Sequence, residues 1–341
     1  VTAGGNFDVS ATNSASATAV VEVLSLAFGF PSASLALAGS VANVTISPLI
    51  ETTVSSSTVT AAGDVMVAAS SNVTADATAN GITGSTFVAA VGAVPKATVM
   101  PSITTAIDGS SITSTAGNIG LTSLYNLDAS GNSTGRGTSA TAFAGSGSTF
   151  AGSGADATTE SSPRLEARVN GSATLAAAGN VSLRSQSDNR QTATAKGQSG
   201  GVVGVGASIA KATANGTTTA RLDGRVEAHP AAGVVDSTKA GASGVSVRAI
   251  GSDRAAAIAE AVAGGVLAID VNKSTADVTP TVTAAIGKDA LVNVATNLDV
   301  IAIENPEADA RTTGVSGGAI QVGVSNSYVT VSPAVSSSVD D

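Results

Sequence analysis

Side chains able to do chemistry are few in this sequence. The carboxylates come nearest to a site: Glu304, Glu307 and Asp309, the terminal Asp340-Asp341, and the pair Asp270 and Asp277. Several oxygens gathered at one point would suit calcium. Two facing carboxylates would suit glycoside cleavage on a β face. Neither pattern is completed. The spacings match neither an EF-hand loop nor the glycine-rich nonapeptide of calcium-binding solenoids. Aromatic platforms for sugars are nearly missing, with six Phe, two Tyr and no Trp. The one imidazole, His229, precedes Pro230 and reads as an exposed loop residue. A lone His without Cys cannot make the usual zinc site. The string Gly200-Gly201-Val202-Val203-Gly204-Val205-Gly206 resembles a phosphate loop, but it lies in an alternating β run and returns from Gly317-Gly318 to Val324, so it reads as a repeat element. These residues predict no catalytic group, no metal ligand and no cofactor, and the chain reads as a non-enzyme.

Charge and composition narrow the classes further. The 341 residues carry a net charge of −9, are 12% charged and 43% hydrophobic, and include no Cys. A typical globular chain is about 25% charged. A disulfide scaffold is excluded, and the acidic balance with few aromatics argues against nucleic acid. Nine of the sixteen Lys and Arg lie from Arg184 to Arg254, while residues 1–163 carry only Lys96 and Arg136. Such a gradient could steer head-to-tail association; a locally more soluble surface is the better explanation. Threonine rows such as Thr279-x-Thr281-x-Thr283 invite an ice-binding face, but Glu166-Ala167-Arg168 and Ser336-Ser337-Ser338 break the regularity.

The elements that hold these residues come from an internal repeat. A turn followed by an alternating strand recurs at Gly5-Asn6, Gly63-Asp64, Gly117-Asn118, Gly179-Asn180, Ser243-Gly244 and Thr296-Asn297. A second mark, Pro before alternating apolar residues, recurs at Pro48, Pro101, Pro163, Pro280 and Pro333, with Gly216 in the fourth place. Three of the five intervals are 53 residues, and the others are 62 and 64. The chain therefore divides into units of approximately 5–62, 63–116, 117–178, 179–243, 244–296 and 297–341, a single array over 1–341. Insertion loops are expected near 131–154 and 227–243.

Within each unit apolar residues alternate with polar ones, as in Val245, Val247 and Ala249, and then Ala255, Ala257 and Ala259. A period of two predicts strands with one buried face, and the fold class is all-β. Mid-unit glycines, Gly200-Gly201, Gly264-Gly265 and Gly317-Gly318 with Gly84 in the second unit, divide each unit into two arms. Positive φ at these glycines would make sharp corners. If each arm were one coil, about twelve coils at about 4.8 Å would give a rod roughly 55–60 Å long. The expected architecture is a repetitive parallel β-solenoid, with stacked long β-hairpins as the alternative. A transmembrane β-barrel fits poorly, because two Tyr cannot form aromatic girdles. The apolar stretch 19–42 contains Glu22, Gly29, Pro31 and Gly39 and reads as the first β-unit, not a membrane span.

The repeated Gly-Asn-Val turns, the Ala/Thr alternation and the Gly-Gly-x-Val-x-Val-Gly-Val strings together resemble the repeat regions of giant secreted bacterial surface proteins, the filamentous adhesin-like and leukotoxin-like exoproteins. The resemblance covers essentially the whole chain and carries over no functional residue. It implies a β-helical stalk or fibre at the cell surface, acting through adhesion, spacing or assembly. The absence of Cys fits export. The chain opens on Val1 without Met, as a processed product or fragment would, shows no signal peptide, and has no evident polar cap at either end. A solenoid without caps continues or polymerises. The expected partner is self, head to tail or as neighbouring repeats of a longer chain. The alternative function is a module binding surface carbohydrate through the insertion loops.

Overall fold

A computed structural model describes residues 1–29, 34–227 and 241–340. The alternation seen in the sequence becomes strands throughout, and they form four parallel sheets. Each unit contributes one strand layer to each sheet. In the second unit the chain runs out along Val65–Ser85 and turns. It then returns along Val88–Val99, bends, continues along Ser102–Asp108, and closes with Ser111–Ser114. We call these the long, facing, flank and short sheets. The fold is a parallel β-solenoid.

The register fixes the pitch of the coil. Val65 pairs with Ile119, Val181 with Val245, and Val245 with Leu298. A residue therefore meets its counterpart one whole unit later. One unit is one coil, and six coils replace the twelve expected from single arms. The two arms of a unit share no ladder; they face each other through side chains. Among the described residues the antiparallel pairing is a single bridge, Leu127 to Ser133, so the hairpin alternative does not hold. The dimensions change accordingly. Strands of 20 or 21 residues extend about 65 Å, whereas six layers rise only about 29 Å. The molecule is a broad slab, wider along its strands than along its stack.

Its interior divides into two cores. Near the start of each long strand, three sheets enclose a thick core of Val59, Val67, Ile107, Ile112, Leu121, Val169, Leu175, Leu183 and Leu222. Toward the distal corner only the long and facing sheets remain, and the core is mostly alanine, including Ala77, Ala79, Ala142, Ala157, Ala195, Ala212, Ala257 and Ala259. The backbones converge so closely there that some positions have no room for a methyl group. A Cβ on Gly197 would stand 2.5 Å from the Ala207 carbonyl oxygen, and one on Gly204 2.6 Å from that of Gly264.

The glycines act through closeness, not through positive φ. Gly109, Gly131 and Gly135 are the described glycines with positive φ, and no corner pair is among them. A Cβ on Gly201 would meet the Ser148 carbonyl oxygen, on Gly265 that of Gly201, and on Gly318 that of Gly265. The second glycine of each pair thus lets one coil lie directly on the coil before. Their partners Gly200, Gly264 and Gly317 share a register column with Gly84 through Gly147 and have open space around them or at most a distant carbonyl.

The prolines form a column at the bend between the facing and flank sheets. Carbonyls of Pro48, Pro101, Pro163, Gly216 and Pro280 accept from Ser102, Arg164, Thr217, Thr281 and Ala334 at 2.7–2.9 Å; Pro333 closes the series. Proline fits a bend in which its own position donates nothing to the ladder.

The first insertion is shorter than expected and lies earlier. Thr138–Gly147 and Phe150–Ser161 are ordinary strands in register with both neighbours, so the extra residues sit between Tyr125 and Thr138. The Gly145–Ser148 stretch is the distal corner of the third coil, not a projecting loop. Of the second insertion, residues 228–240, with His229 and Pro230, fall outside the described residues.

Candidate functional site

Three polar features stand out in this apolar framework. The first is a ladder at the turn entering each long strand. Asn6 Oδ1 accepts from the Asp64 amide at 3.0 Å, Asp64 Oδ1 from that of Asn118 at 2.7 Å, and Asn118 Oδ1 from that of Asn180 at 2.9 Å. The glycine preceding each ladder residue makes this possible. A Cβ on Gly63 would collide with Asn6 Oδ1, and one on Gly179 with Asn118 Oδ1. Gly63, Gly117 and Gly179 are therefore coupled to the amide or carboxylate one coil earlier. Beside the ladder runs a shallow groove of about 470 Å³ lined by Asp64, Asn118, Asn180, Ser182, Arg248 and Asp299. It has neither an aromatic platform nor an imidazole in its lining.

The second feature is a polar seam between the two cores, opposite the proline column. Ser187 Oγ lies 3.1 Å from Thr218 Oγ1, and Ser123 Oγ 3.0 Å from Thr105 Oγ1. In the fourth and fifth coils the seam holds charge. Asp253 points inward, where Asn189 Nδ2 donates to its Oδ1 at 2.8 Å. In the sixth coil Glu304 accepts at Oε1 from the Asp253 amide at 3.2 Å, while its Oε2 is buried and unpaired. Burial pushes Asp253 up to about 6, against the opposing effect of the Asn189 bond; the nearby Asp188 raises it further. Burial, then the Asp253 charge, pushes Glu304 up to about 7. Tyr125, in the same seam, is pushed up to about 12, chiefly by burial. Two acids this close titrate as one unit.

The seam explains the missing proline of the fourth unit. The Gly216 amide hydrogen-bonds the Asp253 carboxylate, which proline could not do. A Cβ there would also press on Pro163 Cγ at 3.0 Å.

The third feature is the excursion between Tyr125 and Thr138. Asp128 Oδ1 accepts from the Asn132 amide at 2.9 Å, and these amide bonds lower its carboxyl. The tip folds onto the outer face of the next coil. Gln186 Nε2 donates to the Gly131 carbonyl at 3.2 Å, and Arg190 donates to Ser133 Oγ at 3.0 Å. Ser133 also bonds Asp188.

Among the described residues the acidic groups singled out in the sequence do not converge, and Asp341 falls outside them. Glu304 points into the seam, whereas Glu307 points outward and pairs with Arg254 at 3.4 Å. Asp270 is buried and Asp277 lies on the opposite face of the same strand. Among the described residues no group of three or more His, Cys, Asp or Glu is arranged to hold a metal ion. The seam carboxylate Asp253 was legible in the sequence, since it shares the inward parity of Ala255 and Ala257. Comparisons with protein-family models, with curated proteins and with solved structures return no match.

Proposed function

We propose that the chain is a structural segment of an extracellular bacterial fibre, sheath or adhesin stalk, and that it works by stacking β coils, continued head to tail by further repeats or by a second copy. The observation that carries this reading is the match between the first and sixth coils. Following the register through the stack, Val300 occupies the place of Val9, Ala310 that of Ala19, Val331 that of Ile46 and Val335 that of Ile50. Asn297 holds the ladder place of Asn6. Glu304 holds the place of Asn13, whose amide is a natural donor for its unpaired oxygen. Inward-facing Val329, Val331 and Val335 are exposed on the sixth coil, as the surface of an uncovered coil would be. A parallel edge of this kind accepts another strand by backbone pairing.

The reading assigns no catalytic step. The acids raised furthest, Asp253 and Glu304, lie in the interior seam, where their role is packing. Carbohydrate recognition by the first excursion draws little support, because Asp128, Ser133 and the Gly131 carbonyl are engaged within the chain.

Electron microscopy over a concentration series tests the assembly. Filaments that lengthen with concentration, and disappear in a Val329→Lys, Val331→Lys double variant, are expected. Isolated slabs at every concentration would contradict self-assembly.

A further inference from the structure

The outer face of the facing sheet departs from the usual rule for a one-sided sheet. Its first outward column is large and apolar in every coil: Leu35, Val88, Phe150, Val203, Leu267 and Ile320. Further apolar positions follow along the strands, with Leu37, Val94, Ile209, Val271 and Val322 all exposed. Seven residues along the strand and six layers span about 23 Å by 29 Å, roughly 650 Å². The largest apolar patch of an ordinary monomer is about 300–600 Å². A standard protein interface takes about 800 Å² from each partner. Leu24, Ile82 and Val262 are exposed on the outer face of the long sheet, the other side of the slab, so the patch alone stands somewhat below that size.

We propose that this face packs against the same face of a second copy, with a two-fold axis lying along the strands. Such an axis inverts the stack, so the second coil meets the fifth and the third meets the fourth. The side chains fit that inversion. In one outward column the early coils carry Gly39, Gly92 and Gly154, and the late coils carry Ala207, Val271 and Val324. The two-fold sets Gly92 against Val271 and Gly154 against Ala207. In the neighbouring column it sets Ala90 against Ile269 and Gly152 against Val205. Small meets large at three of these four places, and glycine meets alanine at the other, so the middle coils of two flat sheets can mesh at about 10 Å.

The charged border follows the same operation. Lys211 of one copy faces Thr158 of the other, between Asp156 and Glu160. Lys96 faces Thr275, between Lys273 and Asp277, so this contact is mixed in sign and the Lys211 contact carries the charge match. The self-matching pattern is what an isologous interface requires. A lipid surface is a poorer occupant, because the net charge is −9 and the face lacks Trp and carries a single Tyr, Tyr328. This proposal concerns the side of the slab and is independent of axial stacking.

The test exploits glycines that have room. A Cβ on Gly92 touches nothing within 4 Å, and one on Gly154 meets only the Val91 carbonyl oxygen at 4.0 Å, so leucine at both leaves the monomer folded, as circular dichroism will verify. Sedimentation equilibrium of the full chain should show a monomer–dimer equilibrium. The Gly92→Leu, Gly154→Leu variant should weaken it by at least about 100-fold, although it adds apolar surface. Trimming the facing side chains in addition, with Val271→Gly and Ala207→Gly, should restore part of the affinity. Tighter association of the leucine variant would mean non-specific adhesion and would overturn the proposal. So would a wild-type chain that is monomeric at every concentration. A dimer abolished only by Val329→Lys with Val331→Lys would place association on the coil ends and overturn it equally. Stronger binding of the leucine variant to vesicles, without dimers, would assign the face to lipid.

Discussion

The two halves of the slab distribute their apolar residues in opposite ways. In the proximal half Leu, Ile and Val fill a thick core enclosed by three sheets, and the Asn ladder and its groove lie outside. In the distal half the interior is alanine and glycine, and the large apolar side chains stand outward. The same alternating sequence therefore buries its bulk on one side and displays it on the other. Geometry decides which. Where three sheets meet, a wide prism must be filled; where two sheets converge on a glycine corner, a methyl group fills the gap. The distal half cannot use its large residues internally, and they stand outward.

Opposite substitutions in the two cores give the sharpest contrast. Leu183→Ala in the proximal core should lower stability by about 3 kcal/mol through the cavity left behind. Ala195→Leu in the distal core should cost about 2–3 kcal/mol, because nothing can move aside. Both are read from the shift in denaturation midpoint. If Ala195→Leu were neutral, the thin core would not be as tight as described.

The seam between the cores responds to pH. Asp253 and Glu304 hold protons more firmly folded than unfolded. The native state then binds more protons than the unfolded chain, and stability falls as pH rises from about 4 through 7. Melting at pH 5 should exceed melting at pH 8. Asp253→Asn keeps an acceptor for Asn189 and should add on the order of 2 kcal/mol at pH 8 with little change near pH 4. An unchanged pH slope would contradict the placement of the pair.

A smaller effect is expected at the ladder. Gly179→Ala should cost about 1 kcal/mol, since its Cβ would meet Asn118 Oδ1. Part of that loss should disappear in an Asn118→Ala background, as a double-mutant cycle would show.

Much of this architecture was legible in the residues. The 53-residue spacing of the proline column, the period-two strands and the glycine corner are all present in the sequence, and each became a column of the stack. The pitch was not legible, because alternation states which face a residue takes and not whether its partner lies half a unit or a whole unit away. The glycine–asparagine coupling was hidden for a related reason: Gly179 and Asn118 are distant in sequence and meet only through the register. The outward patch was hidden by parity. Leu37 and Ala36 both read as strand residues, and only the close approach of the backbones determines that the smaller one is inside.

The register of one coil on the next is the claim on which the rest depends. The chain has no Cys, so an engineered pair reports it cleanly. Thr194 and Ile258 are register partners on the outer face, about 4.8 Å apart and within disulfide reach. Thr194→Cys with Ile258→Cys should oxidise to an intramolecular cross-link in the monomer. Failure of that pair, together with cross-linking of Thr194→Cys to Arg221→Cys half a unit away, would contradict the one-unit coil.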